Sequence, residues 1–281
     1  MEENRVLCTG GSGFIGKCVI ETLQKRGYTA FSYDLIEGYD ILDVEALNEK
    51  VQQIKPQWIV HFAAQVFLTP SLQNPQEDAL INIIGTLNVL EVARKNGCNV
   101  LFSSSGAVYG NNYQYPEPIS PYGVSKLCAE RYLKIYHDLY GLQTVIFRFS
   151  SIYGKGRKKT SINLILDKAL KGETIQVNGD GEQTRDFTYV NDVAEAVVLA
   201  VEGNFPSGTY DIGTGTSTSI NELIILIQQL LNKPVKVEHV VSTLKGDPKR
   251  NELNVSKAAV YGFKAKTHLF EGLKQLIDDL K

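Results

Sequence analysis

The segment that most limits what this chain can fold into lies in its first sixteen residues. Val6-Leu7-Cys8-Thr9 is a short apolar, β-rich run. It passes directly into Gly10-Gly11-Ser12-Gly13-Phe14-Ile15-Gly16, which places glycines at 10, 13 and 16. Glycine allows positive φ in a tight turn, lets the backbone approach a bound group, and lets a helix pack closely on a strand. A helix starting here offers free N–H groups and the positive end of its dipole to a phosphate. The triplet alone is weak; its strand-before, helix-after setting gives it weight.

The next hundred and thirty residues repeat the alternation. Strands are expected at 5–8, 29–33, 58–62, 99–103 and 144–149. Helices are expected from the glycine turn to about Arg26, at 44–54, at 75–96 and at 121–140. Asn74 caps the third helix, Pro75 takes its first position, Glu77 and Asp78 fill its first turn, and Gly97 ends it. Ser120-Pro121 and Gly141 bound the fourth in the same way. Strands alternating with helices imply a parallel sheet covered on both faces, with ligands at the carboxyl ends of the strands. The expected class is α/β, a Rossmann-type doubly wound sheet with a smaller C-terminal α/β lobe. Residues 1–153 form the first domain and 154–185 with 217–281 the lobe; a strand and helix at about 186–216 pack back on the sheet. Within the lobe, helices are expected at 160–171 and 219–231 and strands at 174–177 and 235–241.

Composition excludes several classes. The 281 residues are 43% hydrophobic and 21% charged, with a net charge of −2, so nothing attracts the chain to nucleic acid or to an anionic membrane. No apolar run reaches the ~20 residues of a membrane span, and the acidic start does not read as a leader. Cys8, Cys18, Cys98 and Cys128 show no metal spacing and read as reduced thiols of a cytoplasmic protein. His61, His137, His239 and His268 read as structural.

Asp34 closes the second strand eighteen residues after Gly16. A carboxylate near that spacing accepts from the adenosine ribose hydroxyls of a dinucleotide and repels a 2′-phosphate, so the cofactor is read as NAD. The competing reading is a turn carboxylate. Asp40-Ile41 either meets the adenine amino group or forms a solvated loop.

Tyr122 and Lys126 stand four apart on one helix face. An ammonium beside a phenol favours the phenolate, and such a phenol can take a proton from a hydroxyl as hydride leaves the carbon. Lys126 can also hold the nicotinamide ribose. Tyr-x-x-x-Lys is common on helix surfaces; the glycine turn upstream gives this one its meaning. Ser105 lies just past the 99–103 strand, where it can donate to the reacting oxygen; Ser103 and Ser104 compete for that role.

Together these residues resemble the extended short-chain dehydrogenase/reductase family, in its sugar-nucleotide epimerase/dehydratase branch. The resemblance spans nearly the whole chain. It rests on the glycine turn, His61-Phe62-Ala63-Ala64-Gln65, Asn82-Ile83-Ile84-Gly85-Thr86, Ser103 to Gly110, Tyr122 with Lys126, Gly179 to Phe187, and Tyr210-Asp211-Ile212-Gly213. It implies Ser105, Tyr122 and Lys126 as the catalytic residues. For the cofactor it implies Gly10, Gly13, Phe14, Ile15, Gly16, Asp34, Asp40, Ile41, Phe62, Ala63, Ala64, Asn82 and Ser103, besides Tyr122 and Lys126. Ser105, Tyr122, Ser151 and Val177 would lie beside a nucleotide-sugar substrate, with Arg185 on its diphosphate. It also implies a homodimer through helices 75–96 and 121–140, unless their apolar faces only cover the sheet.

Dehydratases and decarboxylases of this branch carry acidic residues just after the catalytic Ser or Thr; Gly106 and Ala107 stand there here. The expected activity is therefore 4-epimerisation of the UDP-glucose type. A nucleotide-sugar dehydrogenase or reductase is the alternative, a dehydratase a weaker one, and a non-catalytic NAD or nucleotide sensor a third class. Three departures stand out. Ser151 replaces a substrate-contacting Asn. Leu244-Lys245-Gly246-Asp247 replaces Arg-Pro-Gly-Asp, leaving Lys245 or Arg250 to substitute for a second diphosphate arginine. The chain is also short between Gly110 and Ser120 and around 156–159.

Overall fold

Strand and helix alternate through the first half of the chain: β1 (Arg5–Thr9), α1 (Phe14–Lys25), β2 (Thr29–Tyr33), α2 (Val44–Ile54), β3 (Trp58–His61), α3 (Leu68–Gln73), α4 (Pro75–Ala79), α5 (Gly85–Asn96), β4 (Asn99–Ser105), α6 (Pro121–Tyr140) and β5 (Thr144–Phe149). There follow β6 (Ser151–Tyr153), α7 (Ser161–Lys171), β7 (Ile175–Asn178), β8 (Thr184–Tyr189), α8 (Val190–Val201), β9 (Gly208–Ile212), β10 (Ser217–Ser219), α9 (Ile220–Leu231), β11 (Val237–Val240), α10 (Ser256–Val260) and α11 (Leu269–Leu280). This computed structural model describes residues 4–112, 114–156, 160–241 and 246–280. Leu244 and Lys245, and residues 157–159 of the shortened segment, lie outside the described residues.

Six strands form one parallel sheet in the order β2-β1-β3-β4-β5-β9. The chain leaves β1 towards β2 on one side and returns to β3 on the other. That reversal opens a crevice at the carboxyl ends of β1 and β3, where open α/β sheets bind ligands. One face of the sheet buries Val19 and Leu23 of α1 against Val193, Val197 and Val201 of α8. The other buries Leu47 and Val51 of α2, Val89 and Leu90 of α5, and Ala129 and Leu133 of α6. A separate core, with Ile165 and Leu166 of α7, Leu223 and Ile227 of α9 and Leu273 of α11, lies under the small sheets β10-β8-β6 and β11-β7.

One expectation is corrected. The helix expected at 75–96 is not uniformly α: between α4 and α5 the chain makes a π-helical turn, Leu80–Ile84. The extra residue carries Asn82 inward, where it bonds Gln65 and Ser125. Within the span 186–216, residues 186–189 belong to β8, which pairs with β10 and β6. The returning elements are α8 and β9. Among the described residues no helix is long and apolar enough to cross a membrane. All four cysteines are free thiols.

Candidate active site

A cleft of about 1260 Å³ runs along the carboxyl ends of the strands and on into the lobe. Its dinucleotide end is built by close backbone approach. Gly10 has φ +68°, and a Cβ there would lie 2.7 Å from the amide nitrogen of Ala63; at Gly16 it would lie 2.3 Å from the Gly10 carbonyl oxygen. Only glycine fits either place. Gly13 precedes α1 in extended conformation without a side-chain cap, and the first turn of α1 holds no acidic residue. The cradle and its positive end therefore fit a dinucleotide diphosphate.

Asp34 stands at the mouth of this cradle. Its Oδ2 accepts from the Ser12 N–H at 3.0 Å, and its Oδ1 caps a 3-10 turn by accepting from Ile36 N–H at 3.1 Å. Asp34 thus shapes the turn, and it also lines the cleft. Glu37 accepts from the Ser12 hydroxyl, bringing a second carboxylate to the same residue.

The strand β4 divides its serines by the two-residue period of a strand. Ser104 Oγ donates to Glu130, which also takes two hydrogen bonds from the Arg148 guanidinium. Arg148 in turn donates to the Tyr109 hydroxyl at 2.7 Å, and Tyr109 to Asp211. Ser104 is thereby committed to a structural network. Ser105 Oγ accepts from the Ala107 N–H at 3.1 Å, so its own O–H remains to donate into the cleft. Ser103 contributes its carbonyl, which accepts from Lys126 Nζ at 2.9 Å.

Tyr122 and Lys126 both line the cleft, as Ser105 does. Ser120 starts their helix by accepting from the Gly123 N–H, with Pro121 in the first position. Lys126 is 2% exposed, with its ammonium over the Phe102 ring. Burial pulls its pKa down to about 8, against the attraction of Asp78 and Glu130.

Ser151, Arg185, Phe62, Ala63, Ala64, Asp40, Ile41, Phe14 and Ile15 also line the cleft. Arg185 is held by Asp247, Nη2 to Oδ1 at 2.7 Å, and by the Thr184 carbonyl. Arg250 does not line the cleft; its guanidinium lies 3.6 Å from Glu252. Two expected residues lie elsewhere. Asn82 is buried behind the wall. Val177, expected beside the substrate, faces inward on β7 and packs in the lobe core.

Other residues emerge only in three dimensions. His61 is fully enclosed. Thr86 donates to the Asn82 carbonyl, so His61 Nε2–H donates to Thr86 and Nδ1 accepts from Thr9, whose oxygen takes the Ala63 N–H. This chain ties β1, β3 and the π-helical turn together under the cofactor end. Asn251 lines the cleft against Gly106, and its buried Oδ1 has no partner among the described residues. Among the described residues no cluster of side chains suits a metal ion.

This geometry has close counterparts. A putative UDP-glucose 4-epimerase of Methanocaldococcus jannaschii is 35% identical, the match covering 98% of each chain. The structure of the UDP-glucose 4-epimerase of Thermotoga maritima with UDP-glucose superposes with a TM-score of 0.93 at 31% identity, covering 98% of both chains. The UDP-glucuronic acid 4-epimerase of Bacillus cereus, in complex with UDP-glucuronic acid and NAD, gives a TM-score of 0.90 at 26% identity, again over 98% of each. A sequence model of the NAD-dependent epimerase/dehydratase family matches residues 6–213, from β1 through the end of β9. The glycine cradle, the Tyr122–Lys126 helix and the strand that ends at Ser105 all fall within that span, and the chain belongs to this family.

Proposed function

We propose that the chain is a nucleotide-sugar 4-epimerase of the UDP-glucose/UDP-galactose type. The observation that supports this reading is that Ser105, Tyr122 and Lys126 line the same cleft as the glycine cradle. NAD, held by the glycine cradle, would supply reversible hydride acceptance at the sugar carbon. The protein moves the proton: Tyr122 takes it from the C4 hydroxyl and gives it back after the keto sugar has turned its other face. The Lys126 charge favours the phenolate, and the Ser105 hydroxyl donates to the reacting oxygen. Arg185 suits the diphosphate as a forked donor. Gly106 and Ala107 bring no acid to a neighbouring carbon, which favours epimerisation over dehydration or decarboxylation.

A homodimer through residues 75–96 and 121–140 and a cytoplasmic setting belong to the same reading. Four free thiols accord with the latter.

The test is incubation with UDP- and dTDP-sugars, including UDP-glucose, UDP-N-acetylglucosamine and UDP-glucuronic acid, with the stereoisomers separated. Interconversion of C4 epimers without added cofactor is the expected result. Turnover that requires external NAD and accumulates NADH would make the chain a dehydrogenase instead. Tyr122→Phe is expected to lower kcat by at least ~100-fold while leaving bound NAD in place. Loss of NAD would make Tyr122 structural.

A further inference from the structure

Behind the cleft wall lies a buried charge that the proposed chemistry does not use. Asp78, on α4, is 1% exposed. Its Oδ1 accepts from Gln65 Nε2 at 2.9 Å and Asn82 Nδ2 at 3.2 Å. Its Oδ2 is buried and has no hydrogen-bond partner among the described residues. A carboxylate buried in that state is costly unless a positive charge stands near it.

A buried ammonium stands nearby, that of Lys126, within reach of the Asp78 charge though not in direct contact with it. α4 packs on α6, which carries it. The Lys126 ammonium has three N–H donors and, among the described residues, makes one direct hydrogen bond, to the Ser103 carbonyl. Its own helix offers Glu130 one turn on, but that carboxylate is already taken by the Arg148 guanidinium and the Ser104 hydroxyl. The other titratable or charged groups on the packed elements are neutral or engaged elsewhere. His61 at the end of β3 is neutral between Thr9 and Thr86; Tyr109 is bound by Arg148 and Asp211; Glu91 of α5 is bound by Arg94 and Tyr136, and Lys95 of α5 lies in that helix's last turn. Neither α3 nor the π-helical turn carries a charge. Glu77, beside it on α4, is exposed and accepts from the Asn74 amide, so among the described residues of these elements Asp78 is the buried carboxylate with an oxygen uncommitted.

We infer that Asp78 is a positioning residue: it is the counter-ion that keeps the buried Lys126 ammonium protonated, and through Lys126 it holds Tyr122 ready to ionise. The second half rests on the proposed role of Tyr122; the charge pairing does not. The ordering of forces on Lys126 agrees, for Asp78 outweighs Glu130 in opposing the effect of burial.

The experiment titrates Lys126 itself, in protein loaded with NAD and labelled with 13C at lysine Cε. The Lys126 resonance is assigned by its loss in Lys126→Met. Asp78→Asn, which is isosteric, is expected to lower the Lys126 midpoint by about one pH unit or more. The alkaline limb of kcat/KM should move down with it, and Asp78→Glu should restore both. An unmoved midpoint in folded Asp78→Asn overturns the inference. Should that variant not fold, the double variant Asp78→Asn with Lys126→Met decides, since removing both charges leaves neither one stranded. Recovery of folding supports the pairing. Failure would mean that Asp78 serves only Gln65 and Asn82, and the inference falls. The titration needs no sugar, so its outcome is independent of which activity the substrate panel finds.

Discussion

Arg185 and Asp247 are joined in the cleft wall, guanidinium to carboxylate at 2.7 Å, with 12% of the arginine side chain exposed. A substrate diphosphate reaching this arginine meets a donor already held in place by Asp247 and the Thr184 carbonyl. Arg185→Ala is expected to raise KM for the nucleotide sugar ~10- to 100-fold, with a smaller change in kcat, because the diphosphate is held equally in the ground and transition states. Arg185→Lys should fall between, keeping the charge and losing the fork. Steady-state kinetics decide; an unchanged KM points to a substrate without a diphosphate.

Discrimination between dinucleotides is expected to follow Asp34. Asp34→Ala should weaken NAD binding and narrow the NAD-over-NADP preference by ~10-fold, measured by calorimetric titration of each. Some preference should survive, because Glu37 still faces Ser12. A preference that does not change would leave Asp34 with its turn-capping role alone.

Stability should carry the signature of His61. Burial holds its pKa down to about 3 from 6.5, with Lys126 adding repulsion. The unfolded chain gains this proton near pH 6.5 and the folded chain does not. The contribution is therefore complete above that pH and is lost as pH falls, at about 1.4 kcal/mol per unit. Between pH 6.5 and 5 this amounts to about 2 kcal/mol, and urea unfolding of His61→Asn should lack that slope. Asp211, raised to about 6 chiefly by burial, works in the opposite sense, adding stability as pH falls. It is common to both proteins and cancels in the difference. Equal slopes would mean that His61 is charged when folded.

The outer faces of helices 75–96 and 121–140 should carry the self-association. Val89, Leu90, Ala129 and Leu133 cover the sheet, whereas Leu80, Ile84, Val124, Ile135 and Leu139 are exposed. Exposed apolar groups in this number suit an interface. Light scattering should find a dimer, and Ile135→Asp should give a folded monomer. A wild-type chain that is monomeric at micromolar concentration would remove the dimer from the reading.

What the amino-acid order revealed was whatever has a local cause. The glycine cradle was legible because a tight turn and a close helix demand glycine at fixed offsets. The bounds of α6 were legible because Ser120, Pro121 and Gly141 act on their own backbone neighbours, Gly141 with φ +68°. Asp78 shows the opposite. By position it reads as one more acidic residue of a helix's first turn, alongside Glu77. In space Glu77 lines the cleft and Asp78 is buried behind it. Asn251 meets Gly106, and Tyr109 meets Asp211 across 102 residues, with no pattern in the chain to announce either contact. Val177, which the resemblance implied beside the substrate, packs in the lobe core, because a family pattern does not tell which side of a short strand faces the ligand.

The wider turn at Leu80–Ile84 has a consequence for how this family member tolerates change. It holds one residue more than an α-helical turn, so deleting a single residue there would not break the helix; it would regularise it. The flanking α4 and α5 would keep their phase, because five residues of a π turn sweep nearly the same angle as four of an α turn. What would be lost is the bulge itself, and with it the inward placement of Asn82 beside Gln65, Asp78 and Ser125. A shortened, better-formed helix would thus keep its scaffold and lose the amide that joins it to α6.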